Sequence, residues 1–287
     1  MDCSKTSQEL ILQIQNLNYS YEDNKPALSD VNLKIFKGEK IAVLGSNGAG
    51  KSTFFLNMNG VLTPDRGDII YRGKKILRSD LNELRKNVGI VFQDADNQMI
   101  ASTVRAEVSF GPMNLKLSKE EVRKRVDETL AYMNLENFRD RPPHYLSGGE
   151  KKRVSIADII AMKPEIMIFD EPTASLDPFN TQILEGVLER LSDEGKTLLI
   201  STHDMDFAYR WAERVVVFSN GRILADGAPL SVFQDDTVIE KAGLKRPTML
   251  DVYELLTEHN LIKTHSMNPN HAYPKNIDHL RTLLQSI

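Results

Sequence analysis

The chain contains one cysteine, Cys3, in 287 residues, which excludes an intramolecular disulfide and fits a reducing compartment. It has no apolar run near the ~20 residues that a membrane-spanning helix requires. Residues 1–9 are polar and lack the apolar stretch of a secretory signal. Positive charge is not in excess either: 36 Lys and Arg stand against 40 Asp and Glu, a net charge of −4. That balance removes the basic footprint on which nucleic-acid binding rests. The expected setting is the cytoplasm, or the cytoplasmic face of the cell membrane as a peripheral protein. What remains is ordinary globular composition, 41% apolar and 26% charged, in a chain long enough to bury a substantial core.

Short β-rich runs alternate with helical patterns. Residues 10–17, 31–36 and 40–44 read as strands, and 51–60 as a helix following a Gly-rich turn. Residues 88–92, 166–169, 197–201 and 215–218 are nearly continuous apolar runs, as expected of strands buried on both faces of a parallel sheet. Between 93 and 162 the pattern becomes helical. Ser118 and Glu121 have capping-box spacing ahead of Val122, Val126, Leu130 and Met133. A further helix opens at Asp177-Pro178, sets Ile183, Leu184, Val187, Leu188 and Leu191 on one face, and ends at Gly195. The expected fold is α/β, with a helical insertion in the core. Residues 264–275 read as a loop and the chain from Asn276 as a short final helix.

Three motifs carry chemistry. Gly45-Ser46-Asn47-Gly48-Ala49-Gly50-Lys51-Ser52-Thr53 fits the phosphate-loop pattern, and it lies between an expected strand and an expected helix. Glycines let the backbone N–H groups approach phosphate oxygens, Lys51 reaches the β- and γ-phosphates, and the Ser52 hydroxyl suits Mg²⁺. The apolar run 166–169 ends in Asp170-Glu171: Asp170 can hold Mg²⁺ through water, and Glu171 can polarise a water for attack on the γ-phosphate. Ser147-Gly148-Gly149-Glu150 reads as a second helix start, which taken alone is an ordinary capped helix. Lys151, Lys152 and Arg153 after it read as a solvated face.

Taken together, these residues resemble the ATP-binding-cassette ATPases over roughly residues 11–242. The resemblance implies a P-loop NTPase (RecA-like) core at about 11–93 and 163–230, with a mainly parallel sheet and an antiparallel β edge. It also implies a helical subdomain at about 94–162 and a C-terminal tail, 243–287, used for packing or dimer contact. Gln93 matches the family's Q-loop glutamine, which senses Mg²⁺. Ser175-Leu176-Asp177 is similar to its D-loop, and His203 to its switch histidine. Tyr21, ahead of Tyr19, stands where the family stacks adenine. The implied ligands are ATP and Mg²⁺, with Ser52, Gln93 and Asp170 around the metal. In this family Ser147, Gly148 and Gly149 act on the nucleotide of a second ATPase subunit, in a head-to-tail homo- or heterodimer. Glu150 departs from the family's usual Gln.

The stretch 89–98, the run 107–112 and the run 142–147 are similar to the energy-coupling-factor importers. That implies an ATPase energising integral membrane subunits, with cobalt or another micronutrient such as a vitamin as cargo. A soluble cassette ATPase acting on nucleic acid or ribosomes is the alternative; it usually has two cassettes, a long coiled coil or a basic surface, none of which is visible here. His259, His265, His271 and His279 fall in the tail at spacings that fit no compact metal motif.

Overall fold

Alternation decides the first sheet. The computed structural model describes residues 9–22, 25–94, 99–174, 176–262 and 273–285. In β2 (Pro26–Phe36) Leu28, Val31, Leu33 and Ile35 are buried while Asn32 and Lys34 face outward. β2 pairs antiparallel with β1 (Leu10–Ser20), setting Ile14 against Leu33 and Leu17 against Val31. β3 (Lys40–Leu44) belongs to a different sheet and runs into α1 (Lys51–Met58). β4 (Arg66–Tyr71) and the two-residue β5 (Lys74–Lys75) complete the antiparallel sheet in the order β2-β1-β4-β5. β4 was not anticipated because Arg66-Gly67-Asp68 opens it with polar and glycine residues.

Strands without alternation build the second sheet. After α2 (Leu81–Asn87) comes β6 (Val88–Val91), then three helices, α3 (Val104–Asn114), α4 (Lys119–Tyr132) and α5 (Gly148–Met162). β7 (Ile166–Phe169), α6 (Pro178–Asp193), β8 (Thr197–Ser201), α7 (Met205–Trp211) and β9 (Arg214–Ser219) follow. The sheet order is β10-β9-β3-β8-β7-β6, parallel except for the edge strand β10 (Arg222–Gly227). Half-exposed and polar, β10 escaped the apolar-run criterion.

Each central strand feeds two cores. Ala42 and Leu44 join Met167, Phe169, Leu198 and Ile200 on the face covered by α3 to α7. Ile41 and Val43 join Ile166, Ile168 and Leu199 on the other face, beneath α1 and the antiparallel sheet. Burying each such side chain stabilises the fold by about 1.5–3 kcal/mol, so the sheet holds both layers. The chain closes with α8 (Pro229–Phe233), α9 (Asp236–Ala242), α10 (Thr248–Glu258) and α11 (Ile277–Gln285). α10 is fixed by buried Leu250, and its first N–H, from Thr248, donates to Asp206 Oδ1 at 2.6 Å. The final helix starts one residue after Asn276, whose side chain accepts from His279 N–H, and it buries Leu280. His265, His271 and most of the expected loop 264–275 lie outside the described residues. No helix among the described residues is long and apolar enough to cross a membrane.

Candidate active site

The site forms at the C-terminal ends of β3, β7 and β8, where an open parallel sheet leaves a crevice. The chain from β3 turns through Gly45 at φ 142°, where an added Cβ would lie 2.4 Å from the Phe218 carbonyl oxygen. Gly50, at φ 107°, has Ala27 O within 2.9 Å of the same imagined atom. No other residue fits those two turns, and between them run Ser46, Asn47, Gly48 and Ala49. Lys51 is 5% exposed and donates from Nζ to Gly45 O at 2.7 Å and Ser46 O at 3.2 Å. Burial lowers its pKa, and Glu171 and Asp170 oppose that shift. Thr53 is buried and bonds the Tyr21 hydroxyl at 3.0 Å, so the half-exposed Tyr21 ring is pinned beside the loop. Tyr19 stands edge-on to it, 5.1 Å away.

Tyr21, Asn47, Lys51, Ser52, Gln93 and Glu171 line a cleft of about 360 Å³. A second cavity of about 680 Å³ shares Glu171 and adds Ser46, His203 and Lys245. Glu171 is the common wall. Its φ of 45° is left-handed, an uncommon state for a non-glycine residue and one concentrated at functional sites. His203 Nε2 lies 2.8 Å from Glu171 Oε1.

What holds Asp170 and Glu171 in register is a residue that the sequence reading missed. Ser201, fully buried at the end of β8, donates its hydroxyl to Asp170 Oδ1 at 2.6 Å and accepts the Glu171 N–H at 2.8 Å. A serine closing an apolar strand looks like a boundary, and only the β7–β8 pairing brings it to the acids.

Ser147, Gly148 and Gly149 line neither cavity. Ser147 caps α5, its N–H and hydroxyl both donating to Glu150 Oε2, at 2.7 and 2.8 Å. Glu150 therefore closes a capping box, which accounts physically for an acid at that position. An added Cβ at Gly149 would lie 2.3 Å from Asn180 Cγ, so the Asn180 side chain would have to move to admit it. Asn180 in turn is held by Asp177, through its backbone and side-chain nitrogens at 2.8 Å each. Ser175 lies outside the described residues. The solvated face expected at 151–153 needs correction at Lys152, which is 3% exposed because its ammonium turns inward to backbone carbonyls.

A phosphate loop at the head of a parallel sheet, with an Asp-Glu pair on a nearby strand end, defines the class of P-loop nucleoside triphosphatases. A family model described as ABC transporter matches residues 28–174. The energy-coupling factor transporter ATP-binding protein EcfA of Methanothermobacter thermautotrophicus is 46% identical over 248 residues, 86% of this chain and 80% of that protein. A longer relative from Methanosarcina mazei is 45% identical over 254 residues, 88% of this chain, which spans only 56% of its length. The solved structure of cbiO1 from Clostridium perfringens, part of the ABC transporter complex cbiONQ, is 42% identical with a TM-score of 0.73, over 88% of this chain and 100% of that one. The chain belongs to the ABC transporter ATPases, in the energy-coupling-factor group.

Proposed function

We propose that this chain hydrolyses ATP in the cleft between Tyr21 and Glu171 and so energises an importer whose pore is formed by integral membrane subunits. The observation that carries the reading is the junction at Glu171, a carboxylate on a left-handed backbone shared by the phosphate-loop cleft and the His203 cavity. There Glu171 takes a proton from water as the water oxygen bonds to the γ-phosphorus and the bond to the ADP oxygen breaks. His203 orients the carboxylate, Lys51 and the loop N–H groups hold the phosphates, and Tyr21 meets the adenine. Ser52, Gln93 and Asp170 supply hard oxygen donors with a single carboxylate, a set that fits Mg²⁺ shared with phosphate oxygens. A Mg²⁺ ion held by these residues would supply charge neutralisation at the phosphates.

Ser147 and Gly148 are exposed and lie away from both cavities, which supports a head-to-tail pair in which they complete the site of a second subunit. Likeness to EcfA and to cbiO1 supports work with the membrane subunits of an ABC transporter, at the cytoplasmic face of the membrane; the cargo that the sequence resemblance implies is cobalt or another micronutrient such as a vitamin. Affinity purification of the tagged chain from gently solubilised native membranes tests this. Integral membrane subunits should co-purify, together with a small substrate-capture protein. Recovery of only soluble partners, ribosomes or nucleic acid would remove the importer from the account.

A further inference from the structure

Lys152 stands on α5 five residues beyond Ser147, and its side chain is buried. Its Nζ donates to Phe92 O and to Gln93 O, at 2.8 Å each. Those carbonyls belong to consecutive residues where the chain leaves β6 and Gln93 enters the cleft. An ammonium is costly to bury unless its hydrogens find acceptors, and charge-assisted bonds are roughly twice as strong as neutral ones. An apolar side chain would fill the same space, but it would take the Lys152 donors away from two converging carbonyls. The bond pair is therefore a connection between two segments, α5 and the Gln93 loop, that the chain order separates by 59 residues.

We propose that Lys152 is a positioning residue that fastens the Gln93 backbone to the helix presenting Ser147, Gly148 and Gly149. The inference rests on the proposed reading of Gln93 as a cleft residue and of Ser147 as the face toward a second subunit. In the head-to-tail pair, Gln93 and Ser147 of one chain serve opposite nucleotides. Lys152 then transmits occupancy of one site to the other, and the two sites turn over cooperatively.

The test compares Lys152→Met, which keeps the length and loses the donors, with Lys152→Gln, which keeps a neutral donor. Hydrogen exchange is measured without nucleotide, alongside ATP affinity, turnover and the Hill coefficient. In Lys152→Met, amides at 93–94 should exchange about tenfold faster. ATP affinity should stay within about threefold, turnover should fall about tenfold, and the Hill coefficient should drop to one. Lys152→Gln should recover part of each loss. Added to Gln93→Ala, Lys152→Met should cost nothing further in turnover, because both act through one residue. Unchanged exchange at 93–94 in both variants, or turnover losses that multiply with Gln93→Ala, would overturn the proposal. If Lys152→Met fails to fold, Lys152→Gln decides alone: wild-type exchange and cooperativity overturn the proposal, and intermediate values uphold it. Glu171→Gln is assayed in parallel; its retained hydrolysis would remove the reading of the site itself, whereas a dead Glu171→Gln beside a wild-type Lys152→Met removes only the role of Lys152.

Discussion

At the scale of single residues, the chemistry rests on a few short bonds made by groups that only the fold brings together. Glu171 pays for its left-handed backbone with a buried anchor, since its N–H ends on Ser201 while the same hydroxyl grips Asp170. Replacing Ser201 with Ala leaves an amide and a carboxylate oxygen without that partner, at a cost of about 1–3 kcal/mol. Turnover in Ser201→Ala should fall by roughly ten- to a hundredfold with ATP affinity within about threefold, because the cleft keeps Lys51 and Tyr21. Wild-type turnover in steady-state assays would remove Ser201 from this role. The phosphate loop, Asp170 and Glu171 were singled out from the sequence because they lie in a spaced motif or at the end of an apolar strand, and His203 only because of the family resemblance. Ser201 and Lys152 were not, because their partners lie 31 and 59 residues away.

At the scale of elements, α5 shows how local rules and packing divide the work. The box spacing at Ser118 and Glu121 is half realised: Glu121 N–H donates to Ser118 Oγ at 3.2 Å, but the Glu121 carboxylate turns to Arg125 at 2.7 Å. The complete box forms at Ser147 and Glu150. Farther along α5, Asp158 Oδ1 is buried with no hydrogen-bond partner among the described residues. Burial, and then Glu107 on α3, raise its carboxyl well above the ordinary range. A raised carboxyl favours the fold only below the ordinary pKa, and that contribution is lost as pH rises toward the folded pKa. Asp158→Asn should therefore leave the melting temperature nearly unchanged near pH 4 and raise it by roughly 2–6 °C near pH 8. Calorimetry showing a pH-independent difference would contradict this reading. Parallel strands were legible as unbroken apolar runs; β4 and β10 were not, since β4, inside the antiparallel sheet, opens with Arg66-Gly67-Asp68, and β10 is an edge strand with polar residues that water accepts equally well.

For the whole molecule, sheet order could not be read from the chain, because runs 166–169 and 197–201 do not say which lies beside β3. The order β3-β8-β7 is what carries Ser201 to Asp170 and Glu171 to the phosphate loop. The tail contributes a wall as well: Gly243 to Arg246 border the cavity holding His203, and Thr248 ties that segment to Asp206. In the proposed pair, the Ser147 face of a second subunit meets the nucleotide held by Lys51. Ser147→Arg should leave ATP binding by the single chain intact and abolish ATP-induced association, measured by sedimentation. The central claim is tested most directly by Glu171→Gln, with turnover and sedimentation measured on the same sample in Mg-ATP. The account predicts ATP binding at wild-type strength, turnover lowered by about a hundredfold or more, and a persistent ATP-bound dimer. Hydrolysis at the wild-type rate would contradict it.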